Sequence, residues 1–559
     1  ALQVCVEGLI EHTAYTRYEI LIVSGQKSTI EMHNWLEAMS HLAPSMLRAL
    51  HTPGPDTFSG AVNFAAGQAR GDFILLLSPT LRVLNGDWLN ELLNHAVRPE
   101  VGVVGPKVVS VEGKTVGMGA VLALESCATA AFEGINAQSP GYMQRLQVVQ
   151  NWSAVSCACL MVRKEVFQSV GGLDERSLGT ALAGVDFCLK VGSQGYLVVS
   201  TPYATVLGSP ASYLTITGNS AKDLEERDAL YRRWLPTFVK DPAYSPVLNP
   251  AKANFALDPG VISGWAPFRS RSLPFVLGLP VNASAVGHYR VVQPFLQLES
   301  AGHITGRCSY ETPGVMGFER MKPDIVIFQL RHTASAVDDM ARLKRFSDAR
   351  SIFEIDDYIL DVPKKNIHAR DKPADVREQL QRGIAQCERV IVTTNALANA
   401  LSDMHHDIRV VPNMLAQHLW SGVRSMRGTS SKPRVGWGGG TSHTGDLEII
   451  AEVVRELADE VEWVFFGMCP DALRPYIHEF HPCVRLDAYP QKLASLNLAL
   501  ALAPLEFHLF NDCKSNLRLL EYGACGYPVV CTDTEAYRGY LPCTRVRTTS
   551  RPARSGVSA

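Results

Sequence analysis

The sequence predicts an α/β protein made of several units, and three observations carry that prediction. Short apolar strands alternate with amphipathic helices along almost the whole chain. Its 559 residues exceed what one hydrophobic core serves and imply three or four domain-sized units. Two stretches break the rhythm: a proline-rich one at 236–272 and a polar one, "RGTSSKP", at 427–433.

In chain order, "YEILIVS" (18–24) reads as a strand, "WLEAMSHLA" as a helix, "DFILLLS" as a strand, "DWLNELLNHAV" as a helix and "VGVVGPKVV" as a strand. That order predicts a mainly parallel sheet covered by helices over residues 1–235. Residues 236–272 have little periodicity and read as a linker. A second series opens at "LPFVLGLPVNASAVGHYR" and runs through "DIVIFQL", "RSIFEIDD", "ERVIVTT" and "IRVVPN", giving one unit over 273–426. A third opens at "RVGWGGGTSHTGDLEII" and continues through "VEWVFFG", "LNLALALAPL" and "GYPVVCTD", giving another over 427–545. Both have the form of Rossmann-like lobes. Residues 546–559 are an Arg/Ser-rich tail unlike the rest, and Ala1 already lies inside a helical pattern, so the chain reads as a fragment of a longer one.

Composition excludes several classes. Hydrophobic residues make up 46% and charged residues 19%, which rules out a long disordered block. A net charge of −2 gives no field for nucleic acid. No apolar run approaches the ~20 residues of a membrane helix, and no leader pattern is present. The 13 cysteines are scattered without paired CxxC motifs and read as reduced, mostly buried thiols of a cytoplasmic protein.

The ordered segments of 1–235, from "NFAAGQARGD" (63–72) through "GYMQRLQVVQNWSAVSCACLMVRKEVFQSVGGLDE" (141–175) to "VDFCLKVGSQGYLVVSTPYA" (185–204), resemble family 2 glycosyltransferases of the GT-A fold. The resemblance implies a nucleotide-diphosphosugar site built around Mg²⁺ or Mn²⁺, hard cations that need carboxylate oxygens. It also implies a first strand preceding Ala1. The family's metal-binding aspartate falls on Thr80, and the aspartate after the second strand on Ser24. The acidic pair that holds the family's base falls on Gly184, with Asp186 two residues on, and a family histidine falls on Leu207 or Gly208. Asp72 remains beside the strand entry. A hydroxyl cannot offset dehydration of a metal, nor can glycine accept a proton. The expectation is a retained frame with a degenerate centre. Asp174 reads as a turn residue and Asp186 as a helix N-terminal carboxylate. For Trp152, with Tyr142 and Arg145, a sugar-lining role and a core role both stay open.

Residues 273–545 resemble the metal-independent GT-B glycosyltransferases of family 4, so the fold expected overall is a GT-A-like domain followed by a GT-B pair. In "VGWGGGTSH" (435–443), Gly438, Gly439 and Gly440 would let backbone amides approach a phosphate, with His443 beside them and a helix dipole behind. In "FNDCKSNLRLLEYGACGYPVV" the resemblance places the ribose-binding acid at Glu521, while periodicity puts Lys514 and Asn516 on earlier turns of the same helix. A further family glutamate falls on Cys513. Gly287, His288 and Arg290 follow the opening strand of the first lobe, where acceptor or donor phosphates would be met. Glu354, Asp356 and Asp357 end a later strand; acceptor positioning and pairing with basic residues both stay open.

Together these imply glycosyl transfer from a nucleotide-diphosphate donor to a bacterial surface glycan, of the O-antigen kind, with chemistry in the GT-B half. The partners implied are the donor and a glycan or lipid-linked glycan acceptor. The setting implied is cytoplasmic, at the inner face of the inner membrane or beside partner enzymes. No cofactor is implied for the GT-B half, and Mg²⁺ or Mn²⁺ only for an active GT-A half. Two alternatives remain: both halves catalytic, or a non-catalytic glycan-binding scaffold.

Overall fold

The computed structural model describes residues 1–547 apart from 25–29, 43, 53–56, 123–126, 180–181, 211–212, 214–219, 250–254, 258–272, 370–372 and 427–429. Most of the tail, the first part of the 427–433 stretch and much of 236–272 thus lie outside the described residues. The chain divides into two compact units, Ala1–Arg269 with Gly314–Arg320, and Ser270–Pro313 with Met321–Ala559.

In the first unit, β1 (Ile20–Ser24) pairs in parallel with β2 (Leu47–His51). A larger sheet contains β3 (Phe73–Leu77), β4 (Arg82–Val83), β5 (Val101–Val109), β10 (Cys159–Arg163) and β11 (Leu197–Leu207) in the order β3-β10-β5-β11-β4. The short strands β6 (Thr115–Gly117) and β9 (Gln150–Asn151) are attached to it, and β7 (Ala120–Val121) pairs with β8 (Thr129–Ala130). The expected mainly parallel sheet is corrected to a mixed one. Only β5 and β11 pair in parallel in it, because β10 inserts antiparallel between β3 and β5. The segment "CLMVR" has no helix between itself and a parallel neighbour, so alternation alone did not reveal its direction.

The helix Trp88–Ala96 covers this sheet, with Trp88 and Leu92 in a core that includes Val104, Val108 and Val206. Residues 236–249 are also part of the unit, which corrects their reading as a linker. The helix Ala221–Val239 runs through Pro236, held at its start by a reciprocal Ser220–Asp223 capping box. Beyond it the carboxylate of Asp241, itself buried, accepts the hydroxyl of Ser153 and the backbone N–H of Leu122 (2.9 Å) and Ala243 (2.8 Å). Tyr244, Leu248 and Phe255 then pack with Phe132, Leu146 and Trp152. Prolines here end local periodicity without preventing burial.

The second unit contains two six-stranded sheets, parallel throughout. The first comprises β12 (Phe275–Leu279), β13 (Thr305–Cys308), β14 (Ile325–Gln329), β15 (Arg350–Ile355), β16 (Arg389–Val392) and β17 (Ile408–Val410), ordered β13-β12-β14-β15-β16-β17. The second comprises β18 (Arg434–Gly438), β19 (Glu462–Gly467), β20 (Glu479–Pro482), β21 (Leu500–Ala503), β22 (Val529–Thr532) and β23 (Thr544–Val546), ordered β20-β19-β18-β21-β22-β23. Near-continuous apolar strands such as "FVLGL" and "WVFF" are what sheets buried on both faces require. In each sheet the chain reverses its direction of build, beside β12 in one and between β18 and β21 in the other. At such a point the crossover helices diverge and a crevice opens at the carboxyl ends of the strands.

Asp241→Ala should destabilise the first unit by about 2 kcal/mol, since three donors, two of them in buried hydrogen bonds, lose their acceptor. It should also open the 240–249 segment to limited proteolysis, which leaves the wild-type segment intact.

Candidate functional site

The residues that the family 2 resemblance singles out do not form a metal centre. Ser24 ends β1 with its Oγ 2.6 Å from His51 Nδ1, and Thr80 is exposed with its hydroxyl 2.8 Å from that of Ser78. Asp72 is exposed, and its backbone carbonyl accepts from Lys164 N–H. Gly184 is walled in: a Cβ there would stand 2.6 Å from Cys157 Cβ and 2.9 Å from its Sγ. Asp186 lies inside the helix Leu182–Ser193 and not at its N-terminus, fully buried. It accepts from Trp234 Nε1 (2.8 Å) and pairs with Arg233 Nη1 (3.2 Å) and Lys190 Nζ (3.1 Å).

Arg233 also pairs with Asp174, which accepts the N–H groups of Arg176 and Ser177 in a turn. Burial pushes the Asp174 carboxyl up, but Ser177 N–H and Arg233 outweigh it and hold it low. A carboxylate neutralised by two cations offers a metal little. Among the described residues no group of three His, Cys, Asp or Glu side chains is arranged to hold one. The residues present therefore do not fit Mg²⁺ or Mn²⁺. Trp152 belongs to the core, edge-on to Phe132 and covered by the Arg145 guanidinium at 4.5 Å, while Tyr142 stacks on Phe255.

The second unit brings its singled-out residues together at the crevice between β18 and β21. The strand "RVGWG" ends there in Gly438, whose N–H is held by Tyr522 Oη at 3.0 Å. A Cβ on Gly439 would stand 2.4 Å from the Trp437 ring and 2.8 Å from Arg518 Nη2, so only glycine passes. Gly440 faces open space. The helix that follows, Thr444–Glu448, has five residues, and its dipole is correspondingly weak. The expected helix-dipole contribution thus gives way to side-chain cations and loop amides.

Lys514 and Asn516 are not on the Glu521 helix, which spans Leu517–Ala524; Asn516 is its N-cap and Lys514 lies in the preceding loop. Periodicity extended the helix backwards through "CKSN", but those residues instead form the turn that follows the short helix Leu509–Asp512. Lys514 nevertheless reaches the crevice, its Nζ 4.8 Å from the Phe510 ring centre. Burial lowers its pKa, with Asp357 and Asp446 acting the other way.

Arg518, four residues on, was not picked out by sequence. Its guanidinium lies over Trp437 (5.6 Å) and Tyr522 (5.9 Å), and its Nη1 is buried without a hydrogen-bond partner. Among the described residues neither cation has a carboxylate within ion-pair distance. The Arg-x₂-Glu spacing was the available signal, because residues 518 and 521 lie three apart on one helix. Glu521 is buried and accepts Tyr289 Oη at 3.1 Å and Tyr489 Oη at 3.0 Å. Burial pushes its carboxyl up, against Arg518 and the two phenols. Cys513, also buried, has its thiol pushed up to about 12 by burial and supplies no charge.

His443 donates or accepts at 2.7 Å between Nδ1 and Asp446 Oδ2, while Asp446 Oδ1 accepts Glu506 N–H (2.7 Å) and Asn511 Nδ2 (2.9 Å). Burial first, and then Lys514 and Arg518, depress the imidazole pKa to about 4 despite Asp446.

The first sheet supplies the remaining residues. Gly287 is obligatory, since a Cβ would stand 2.0 Å from Asn282 O. His288 begins a single π-helical turn, His288–Val292; its Nε2 is buried and unpartnered, and burial lowers its pKa. Arg290 is not available to a phosphate, contrary to expectation. Its Nε binds Glu354 at 2.6 Å and its Nη1 binds Val411 O (2.7 Å) and Asn413 Oδ1 (2.9 Å). Glu354 also accepts Gln329 Nε2 at 2.8 Å, so of its two readings the pairing one holds. Asp356 and Asp357 are half-buried beyond the strand end. Burial and their mutual repulsion raise Asp356, and burial raises Asp357 against Lys514 and His368.

With this geometry in place, the relatives can be set beside it. Residues 1–171 match the model of glycosyl transferase family 2. An uncharacterized protein, y4gI, of Sinorhizobium fredii is 32% identical over 262 residues, 46% of this chain and 28% of its own length. The O-antigen biosynthesis protein RfbC of Myxococcus xanthus is 32% identical over 252 residues, 44% of this chain and 19% of its own length. The chain thus matches well under a third of either relative. Two solved structures show weak likeness at 14% identity. They are GalNAc-T7 with UDP, GalNAc and Mn²⁺ (TM-score 0.34, covering 42% of this chain and 45% of that one), and the mannosyltransferase PcManGT from Pyrobaculum calidifontis with GDP-Man and Mn²⁺ (0.28, 45% and 64%). Among the described residues no helix is long and apolar enough to cross a membrane.

Two outcomes follow from this geometry. Gly184→Asp should not create a metal site; forced against Cys157, it should cost about 1–3 kcal/mol in urea unfolding. His443 has a folded pKa near 4, below its unfolded value, so the unfolded chain binds the extra proton between the two. Wild type should therefore lose stability relative to His443→Gln as pH falls from 6.5 towards 4, and show no pH-dependent difference above 7.

Proposed function

We propose that the second unit is a GT-B glycosyltransferase lobe pair that transfers a sugar from a nucleotide-diphosphate donor without a metal. The observation that carries this reading is the pair of cations, Lys514 and Arg518, that among the described residues have no carboxylate within ion-pair distance, beside a glycine loop with open space at Gly440. A buried cation costs free energy unless something compensates it, and a diphosphate would. As the glycosidic bond to phosphate breaks, negative charge builds on the leaving oxygen. Lys514, Arg518 and the amide of Gly440 are preorganised to stabilise it, the Gly439 N–H being taken by Phe466 O at 2.9 Å. Glu521 offers its carboxylate to the ribose hydroxyls, with Asn516 nearby at the helix start. Asp356 and Asp357 face the acceptor hydroxyl, His288 lines the cleft, and Arg290 keeps the first wall rigid. The outcome expected from the family 4 resemblance is retention at the anomeric carbon.

In this reading the first unit keeps a family 2 frame in which Thr80 stands at the metal-binding position, Ser24 at that of the aspartate after the second strand and Gly184 at that of the base's acidic pair, and it serves acceptor or partner binding. The acceptor is a bacterial surface glycan, which the O-antigen relative supports, and the work is done at the inner face of the membrane. The match of residues 1–171 to family 2 favours a second reading, in which the first unit is also catalytic and metal-dependent.

Calorimetry with UDP, GDP and dTDP, with Mn²⁺ and with EDTA, separates the two. We expect binding that survives EDTA, falls at least tenfold in Lys514→Ala and weakens in Glu521→Ala. Binding that requires Mn²⁺ and ignores both substitutions would transfer the activity to the first unit.

A further inference from the structure

His443 stands out because its surroundings determine which of its nitrogens carries hydrogen. Asp446 Oδ1 already accepts two N–H groups, from Glu506 and Asn511, and its Oδ2 faces His443 Nδ1 at 2.7 Å. Burial works to raise the Asp446 carboxyl, but His443 and Lys514 outweigh it and keep it low. Asp446 is therefore an acceptor only, and the imidazole must present Nδ1–H to it. Burial and the charges of Lys514 and Arg518 keep the ring neutral. The ring is fixed from another side by Trp437, edge to face at 5.7 Å. What remains is Nε2, a bare lone pair that no described residue engages.

A lone pair is the wrong partner for a diphosphate. At neutral pH the diphosphate oxygens carry no hydrogen to donate, and their charge belongs with Lys514 and Arg518. Nε2 calls for an O–H group within one imidazole's reach of those cations. The hydroxyls held there in every turnover are those of the sugar covalently joined to the diphosphate. We infer that His443, held in register by Asp446, accepts a hydrogen bond from a hydroxyl of the sugar being transferred and so helps select that sugar. The inference rests on the proposed diphosphate site for its location. Asp446 is then a positioning residue that acts through the imidazole, and His443 a specificity residue and not a phosphate ligand.

Two measurements on the full chain test it. In ¹⁵N-histidine NMR, with the His443 signals identified by their loss in His443→Gln, Nδ1 should carry hydrogen and Nε2 none at pH 7. An imidazolium or an Nε2–H tautomer overturns the inference whatever the protein binds. Asp446→Asn should mix the two tautomers. In calorimetry, inorganic pyrophosphate is compared with UDP-glucose and GDP-mannose. His443→Leu should lower affinity for a sugar nucleotide about tenfold, the worth of one hydrogen bond, and leave pyrophosphate within twofold. His443→Gln, whose carbonyl reaches the place of Nε2, should recover part of the loss. Equal weakening of pyrophosphate would make His443 a phosphate ligand, and no weakening of either would leave it without a role; both overturn the inference. If wild type binds pyrophosphate but neither sugar nucleotide, the hydroxyl assignment falls and the anion site stands. If Lys514→Ala does not disturb pyrophosphate binding, the diphosphate reading itself falls.

Discussion

Arg518 holds its positive charge among the rings of Trp437 and Tyr522 with an orphaned buried Nη1, and much of the second unit's site is arranged around that charge. Desolvating a guanidinium is costly, but Tyr522, Tyr489 and Glu521 outweigh burial at Arg518 and favour its charged form. The same charge, with that of Lys514, keeps His443 neutral and opposes the protonation of Glu521. Gly439 is glycine because the guanidinium and the indole occupy the space a side chain would need. The loop, the histidine and the acid thus all bear on one cation.

The first unit takes the opposite course. Asp186 is wholly buried, yet Lys190, Arg233 and the Trp234 indole N–H answer its charge internally. Gly184 is sealed by Cys157, and the hydroxyls of Ser24 and Thr80 are turned to His51 and Ser78. Charge that is balanced within the fold stabilises the fold; charge left unbalanced at a crevice is available to a ligand. That contrast, more than the motifs, separates the two units.

Much of the second unit was legible in sequence because parallel strands buried on both faces must be nearly continuous runs of apolar residues, as in "IVIFQ" and "WVFF". The glycine loop was legible for a similar reason, since close backbone approach leaves few choices of residue, whereas Glu521 was singled out by the family 4 resemblance alone. The direction of β10 was not legible, since "CLMVR" looks the same in either orientation. Nor was the fate of 236–249, where prolines masked the buried Asp241 and Tyr244. Arg290 looked like a phosphate ligand because sequence cannot show that Glu354, Val411 and Asn413 converge on it from three other segments.

By itself, the sequence determined the α/β class, the succession of strands and helices, and which acidic positions of the family 2 pattern are absent, because these depend on residue identity and local periodicity. Only the tertiary structure decided which charges are spent on one another. Arg290 and Asp186 are paired within the protein, while Lys514 and Arg518 have no carboxylate within ion-pair distance among the described residues, although all four are ordinary ionisable residues in the sequence. Pairing depends on distance across segments far apart in the chain, and the desolvation that makes an unpaired charge consequential exists only once the core has closed around it.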